Sequence, residues 1–270
     1  MKKLLFSLLT SIITLGAVTT SCDNVDADDR LIPVETVAPQ RAVLVEDFTG
    51  QNCVNCPAAH EVLDLLVGQY GDNVIPVSIH AGHFATAVSA SNDARLGLMQ
   101  PEGNQLNDRW GITSYPMGVV NRSGSPLVSD SWAAAVRAQL ALPTTLGIEV
   151  EARLNPANTN ELLITSTFTP AADIDATLHV WIVESGIVAF QRDQTTRIPD
   201  YVHNNVYRAS VNGIDGEPLK LTARVHDTVS HTIALRTDKY ETWVPANLKA
   251  IVFAEGADGV IQAAQAKVAE

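Results

Sequence analysis

Cysteine is scarce in this chain: three in 270 residues, at positions 22, 53 and 56. All three fall in the first quarter, so no disulfide can hold the second half together. Basic residues are also short, 18 against 30 acidic ones, for a net charge of −12. Such a surface argues against nucleic acid and anionic lipid headgroups as partners. Long apolar runs are missing after the first eighteen residues. No later segment therefore reaches the roughly 20 residues that a membrane-spanning helix needs.

What is present begins at the amino end. Lys2 and Lys3, the apolar stretch Leu4–Val18 and the small residues Thr19-Thr20-Ser21 read as a secretory signal over residues 1–21. A signal that ends at a cysteine resembles a lipoprotein signal, cut before Cys22 and acylated there, although Thr19 stands where leucine is usual. An ordinary signal followed by an incidental cysteine is the plainer alternative. The mature chain, Cys22–Glu270, would have 249 residues, and losing two lysines and no acids takes its charge to −14. Residues 22–40 form an acidic tether, with Asp23, Asp26, Asp28 and Asp29 close behind the cysteine. Acids in that place resemble signals for the outer membrane or the cell surface. A lipid-anchored outer-membrane location, on the periplasmic or the surface face, is expected.

The rest is organised around Val43–Pro57. The apolar, β-branched run from Val43 reads as a buried strand that breaks at Gly50. Cys53 and Cys56 then arrive where a helix should start, because Ala58–Val67 carries helix formers with Val62, Leu65 and Leu66 at helical spacing. Two cysteines three apart on a first helical turn can close a disulfide or bind one metal. Unpaired amides and the macrodipole at a helix start stabilise a thiolate at Cys53. Strand, loop, Cys-x-x-Cys and helix together resemble thioredoxins. The resemblance extends to Asp47, six residues before Cys53, as a buried acid, and to Tyr115-Pro116 as a cis-proline loop leading into a strand.

Asn73–His80 is a second apolar strand, with Pro76 favouring a sheet edge or an irregular ladder. Strand, helix, strand predicts a right-handed parallel crossover. Phe84–Arg109 reads as a helical insertion. Gly118–Asn121 and Pro126–Val128 read as a hairpin, and Ser129 as the cap of a helix over Asp130–Leu142. These elements complete a thioredoxin-like domain over 41–143. From Leu146 the pattern changes to apolar–polar alternation, punctuated by turn clusters such as Asn212-Gly-Ile-Asp-Gly and Gly256-Ala-Asp-Gly. Several short strands at that spacing predict an antiparallel β-sandwich of immunoglobulin-like type over 144–270. The fold class expected is thus α/β followed by all-β, with Trp181 and Trp243 in the sandwich core. His203–Arg208 is too polar for a simple strand.

Four segments together resemble the outer membrane protein 28 family of bacterial lipoproteins: Phe48–Ala58, Val77–Gly82, Tyr115–Arg122 and His203–Ala209. The resemblance covers the mature chain and implies a fold and a location more firmly than an activity. From thioredoxins it implies Cys53 as attacking thiolate, Cys56 as resolving thiol, Asp47 as proton carrier, and Pro116 as the backbone that presents a substrate strand. Val54-Asn55 replaces Gly-Pro between the cysteines, and Glu46 and Asp47 would oppose a thiolate. A reducing or structural disulfide is expected, nearer about −270 than −120 mV. His80 and His83 are candidate modulators. Zinc on the two cysteines with His60, His80 or His83 is chemically possible, but the spacing matches no familiar module, so no metal or cofactor is expected.

Two functions remain open. One is thiol–disulfide exchange on envelope or extracellular proteins. The other is a non-enzymatic binding, adhesion or structural lipoprotein whose disulfide never turns over. In both, the membrane is engaged through the N-terminal lipid.

Overall fold

A computed structural model describes residues 40–88, 97–194, 196–237 and 241–269. The signal segment 1–21, Cys22 and nearly all of the 22–40 tether lie outside them, as does part of the 84–109 insertion. Among the described residues no helix is long and apolar enough to cross a membrane.

The first strand, β1 (Val43–Thr49), is buried along its whole length. Its side chains alternate between two faces. Val43 and Val45 pack with α1 (Cys56–Tyr70), whereas Leu44 and Phe48 enter a second core on the other side. Strand β2 (Val74–His80) runs parallel to β1, from Val43 opposite Val74 to Thr49 opposite His80. Strand β3 (Met117–Val120) runs antiparallel on the other side of β1. Helix α2 (Pro101–Arg109) lies on the Leu44 side through Leu106, and α3 (Trp132–Leu140) lies on the Val43 side through Trp132 and Val136. Of the three apolar positions read at helical spacing in α1, Leu66 is buried and Val62 packs against the same core, and only Leu65 faces away from it. The buried face is Ala59, Leu63 and Leu66, and Leu65 is 74 % exposed. Ser129 begins a 3-10 turn, Ser129–Ser131, so that Ser131 stands at the N-cap of α3, without a side-chain cap hydrogen bond.

The second half supplies β4 (Leu146–Asn155), β5 (Asn158–Pro170), β6 (Ile174–Glu184), β7 (Ile187–Asp193), β8 (Thr196–His203), β9 (Val206–Ser210), β10 (Glu217–Leu221), β11 (Asp227–Ala234), β12 (Leu248–Gly256) and β13 (Gly259–Ala269). The expected change at residue 143 is a change of element type within one packed body. Apart from β7 and β8, which pair with each other, the strands run on in a single mixed sheet, ordered β11-β5-β4-β13-β12-β6-β9-β2-β1-β3, with β10 on β6. Ala38–Glu270 is one compact unit. The protein is therefore mostly β, built on a large mixed sheet. Trp243 is buried among the later strands, as expected, whereas Trp181 is buried in the core that it shares with Leu44 and Phe48.

One departure from expectation and one expectation met have the same cause. The polar-looking 203–208 region contains β9, a strand buried at every position, which closes the gap between β6 and β2. Pro76 lies on a strand with neighbours on both sides, and of its two expected settings the irregular ladder is the one found. The β2–β9 ladder consists of Ser78 opposite Val206, with Ser78 N–H donating to Asn205 O at 2.8 Å. Pro76 faces the same way as Ser78, but beyond the end of β9, so its missing N–H costs no ladder bond.

Candidate functional site

Cys53 and Cys56 form a disulfide at the start of α1, with Cα atoms 5.5 Å apart. Pro57 follows as the first-turn proline, where no N–H is needed. A cis peptide joins Tyr115 to Pro116, at the same end of the sheet, because Met117 pairs with Phe48 of β1. Tyr115, Ile112, Phe48 and both cysteines share one apolar cluster, with Phe84 and Trp110 against it. The Tyr115 hydroxyl donates to Asn107 Oδ1 at 2.6 Å, and burial raises its pKa.

The disulfide is covered. Cys53 is 2 % exposed and Cys56 fully buried. Two elements lie over the 50–53 loop. The turn Gly82–Phe84 accepts the Asn52 N–H at Phe84 O, so close to Gly50 that a Cβ there would fall 2.5 Å from the Phe84 carbonyl carbon. The β7–β8 hairpin supplies the second cover. Gln191 Nε2 donates to Cys53 O at 2.9 Å and Gly50 O at 3.3 Å, while Arg192 N–H donates to Gln51 O at 2.8 Å.

Asp47 and Glu46 face opposite ways from β1. Asp47 is buried on the α1 side, where neither carboxylate oxygen has a hydrogen-bond partner and Oδ2 lies 3.4 Å from His60 Nε2. That imidazole also meets Thr49 Oγ1 at 3.1 Å and, through Nδ1, the Tyr201 hydroxyl at 2.8 Å. Glu46 points into the other core. Both its oxygens accept from Arg122, at 3.0 Å each, and Arg122 also contacts Glu255 and stacks on Trp181 and Phe253. Burial alone would lower the guanidinium's pKa, but the carboxylates of Glu46 and Glu255 together outweigh it and the net shift is upward. Glu255 is held down to about 2 against the effect of burial, by hydrogen bonds from His179 and Arg122. Glu46 is therefore paired with Arg122 on the face away from α1, and Asp47 faces His60 on the other.

His80 and His83 separate. His83 is exposed on the rim, against the rings of Phe84 and Tyr115. His80 is deeply buried against His203, with ring centroids 5.2 Å apart. With both sulfurs joined to each other, the thiolate pair of the zinc alternative is not on offer. Among the described residues no three His, Cys, Asp or Glu side chains are grouped to hold a metal. The sequence reading missed His60 as Asp47's neighbour and missed the whole 187–203 cover. His60 falls four residues after Cys56, one helical turn on, and that spacing could have found it.

The model of the outer membrane protein Omp28 family matches residues 103–270, more than half of the chain. No curated protein matches. Among solved structures, HBP35 of Porphyromonas gingivalis superposes with a TM-score of 0.63 at 15 % identity, over 86 % of this chain and 76 % of that one. A domain of the outer membrane lipoprotein Omp28 from Porphyromonas gingivalis gives 0.32 at 15 % identity, over 46 % of this chain and 88 % of that one. At these identities the first likeness speaks for the fold alone. The family match takes in β3, every later strand and the hairpin that covers the disulfide, and it agrees with the outer-membrane location expected from the amino end. The chain belongs to the outer membrane protein Omp28 family.

Proposed function

We propose that this protein is a lipid-anchored, non-enzymatic outer-membrane protein, with a thioredoxin-like half and a β-rich half on one sheet. In this reading the Cys53–Cys56 disulfide is a covered cross-link at rest. Cys22 carries the lipid, and envelope or extracellular proteins are the partners of the acidic surface. The observation that carries the reading is the 2 % exposure of Cys53. A thiolate must reach a partner sulfur to exchange with it, and Cys53 is shut in on two sides. Titration with dithiothreitol at pH 7.5, read by the mass shift after alkylation, tests it. The pair is expected to resist millimolar reductant until urea unfolds the chain. Ready reduction of the folded protein would overturn the assignment.

Thiol–disulfide exchange is the second reading, favoured by the pair's place at a helix start and by the cis Tyr115–Pro116 bond at the same end of the sheet. In that chemistry the reduced Cys53 thiolate bonds to one sulfur of a partner disulfide and the other leaves as a thiol. Cys56 then displaces the partner, which departs reduced while Cys53–Cys56 reforms. A Cys56→Ser variant would accumulate mixed disulfides with envelope proteins under this reading and none under the first.

A further inference from the structure

The β7–β8 hairpin is a two-stranded sheet that pairs with no other strand among the described residues. Beside apolar packing of Ile187 and Ala189 against Leu98 and Val206, polar and ring contacts hold it to the body at two places. One is the set of Gln191 and Arg192 hydrogen bonds to the 50–53 loop. The other is at the far end of β8, where Tyr201 and His203 meet His60 of α1 and His80 of β2. Tyr201 and His203 stack edge-on at 4.8 Å, and His203 and His80 at 5.2 Å.

This second hold contains three imidazoles. Both ring nitrogens of His80 and Nδ1 of His203 are buried without a hydrogen-bond partner. A cavity of about 40 Å³ opens among His60, His80, His203 and Asn205, large enough for water. The charges around it are unevenly placed. Asp47 of β1 lies against His60, and Asp64 of α1 lines the cavity. Glu61 of α1 and Asp193 of β7 act on Tyr201. Arg208 of β9 acts on His80 from the opposite sign. No carboxylate among the described residues is in ion-pair contact with His80 or His203, so a proton on either would be a buried, uncompensated cation.

We propose that the hairpin is an acid-releasable cover: protonation of His80 or His203 frees β7–β8 from the body and uncovers Cys53. This rests on the reading of the disulfide as covered at rest. Burial, with neighbouring imidazoles adding to it, holds both histidines neutral, His203 down to about 4. His60 and His80 are fixed on core elements, whereas His203 and Tyr201 move with the hairpin. Swinging β8 away therefore gives water to the cluster while leaving β1, β2 and α1 in place. The same motion withdraws Gln191 from Cys53 O. Below the free histidine pKa of about 6.5, the opening equilibrium gains up to about tenfold per pH unit for each histidine that charges on release.

The test uses the mature chain and a short pulse of tris(2-carboxyethyl)phosphine at pH 7.5, 6.5, 5.5 and 4.5. Reduced cysteines are counted by the mass shift after maleimide, and rates are normalised to a free Cys-x-x-Cys peptide in the same buffers. Reduction is expected to accelerate at least tenfold between pH 7.5 and 4.5 while near-ultraviolet circular dichroism stays native, and the His80→Gln/His203→Gln double variant should lose that acid limb. Hydrogen exchange of wild-type residues 187–203, corrected for intrinsic rates, should rise over the same range without a matching rise in β1 and β2. This decides the matter should the double variant not fold. A flat wild-type profile, an acid limb retained by a folded double variant, or a limb coincident with loss of the near-ultraviolet signal would overturn the proposal. Fast reduction already at pH 7.5 would instead sink the covered-disulfide reading beneath it.

Discussion

Glu46 and Asp47 are chain neighbours with opposite surroundings. Strand alternation sends Glu46 into a core where a buried guanidinium awaits it, and Asp47 towards α1, where it meets one imidazole edge and no hydrogen bond. Breaking a buried ion pair by removing one partner is expensive, because the survivor remains charged and dry. Glu46→Gln is expected to lower stability by roughly 3–5 kcal/mol in urea unfolding followed by circular dichroism. His203 makes stability depend on pH in a fixed direction. Its folded pKa, about 4, lies below its unfolded value. As pH falls, the unfolded chain takes up the proton first. The contribution is complete above about pH 6.5 and is lost towards 4, at up to ~1.4 kcal/mol per unit. The urea midpoint should therefore fall between pH 7.5 and 5, and His203→Gln should flatten that dependence. Glu46 finds Arg122 76 positions away and His203 finds His80 123 positions away; His60 is only 13 residues past Asp47 but on another element, and the thioredoxin resemblance named the acid without the ring that faces it.

At the level of elements, α3 is keyed to β3 through Gly118. A Cβ there would lie 2.4 Å from the Trp132 ring, which is fully buried and donates its Nε1–H to Leu127 O at 2.9 Å. Gly118→Ala is expected to cost about 1–3 kcal/mol as the indole is displaced, seen as a lower urea midpoint with an unchanged Cys53–Cys56 bond. β1, β2, α1 and the strands after 146 were legible because their apolar residues repeat with clean periods. β9 was not, because Tyr207, Arg208 and Ser210 look solvated until Glu102, Glu184 and Glu241 are placed around them. The cover over the disulfide was equally hidden. In β8 half-buried and exposed residues dominate, as in a surface hairpin, and its attachment depends on a glutamine amide and backbone carbonyls that carry no pattern.

For the whole molecule, the joined sheet means that the halves should not melt apart. Residues 38–270 are expected to unfold in one transition, with tryptophan fluorescence and far-ultraviolet circular dichroism coincident. Two separated transitions would show the halves to be independent. The change of pattern at Pro143 is real in sequence yet invisible as a boundary, since β9 from the later half lies beside β2 from the earlier one.

Gln262 of the last strand accepts the Ala42 N–H at 2.9 Å, and its own amide donates to Gln40 O, across 220 and 222 positions. The opening strand thus leaves the ribosome long before the residue that fastens it exists, about 10–40 s earlier at bacterial elongation rates. For that interval an apolar ribbon bearing two free thiols must be kept apart from its neighbours. The opening strand therefore gains its last fastening only once the closing one is made, and a chain ending before Gln262 is expected to show a lower urea midpoint.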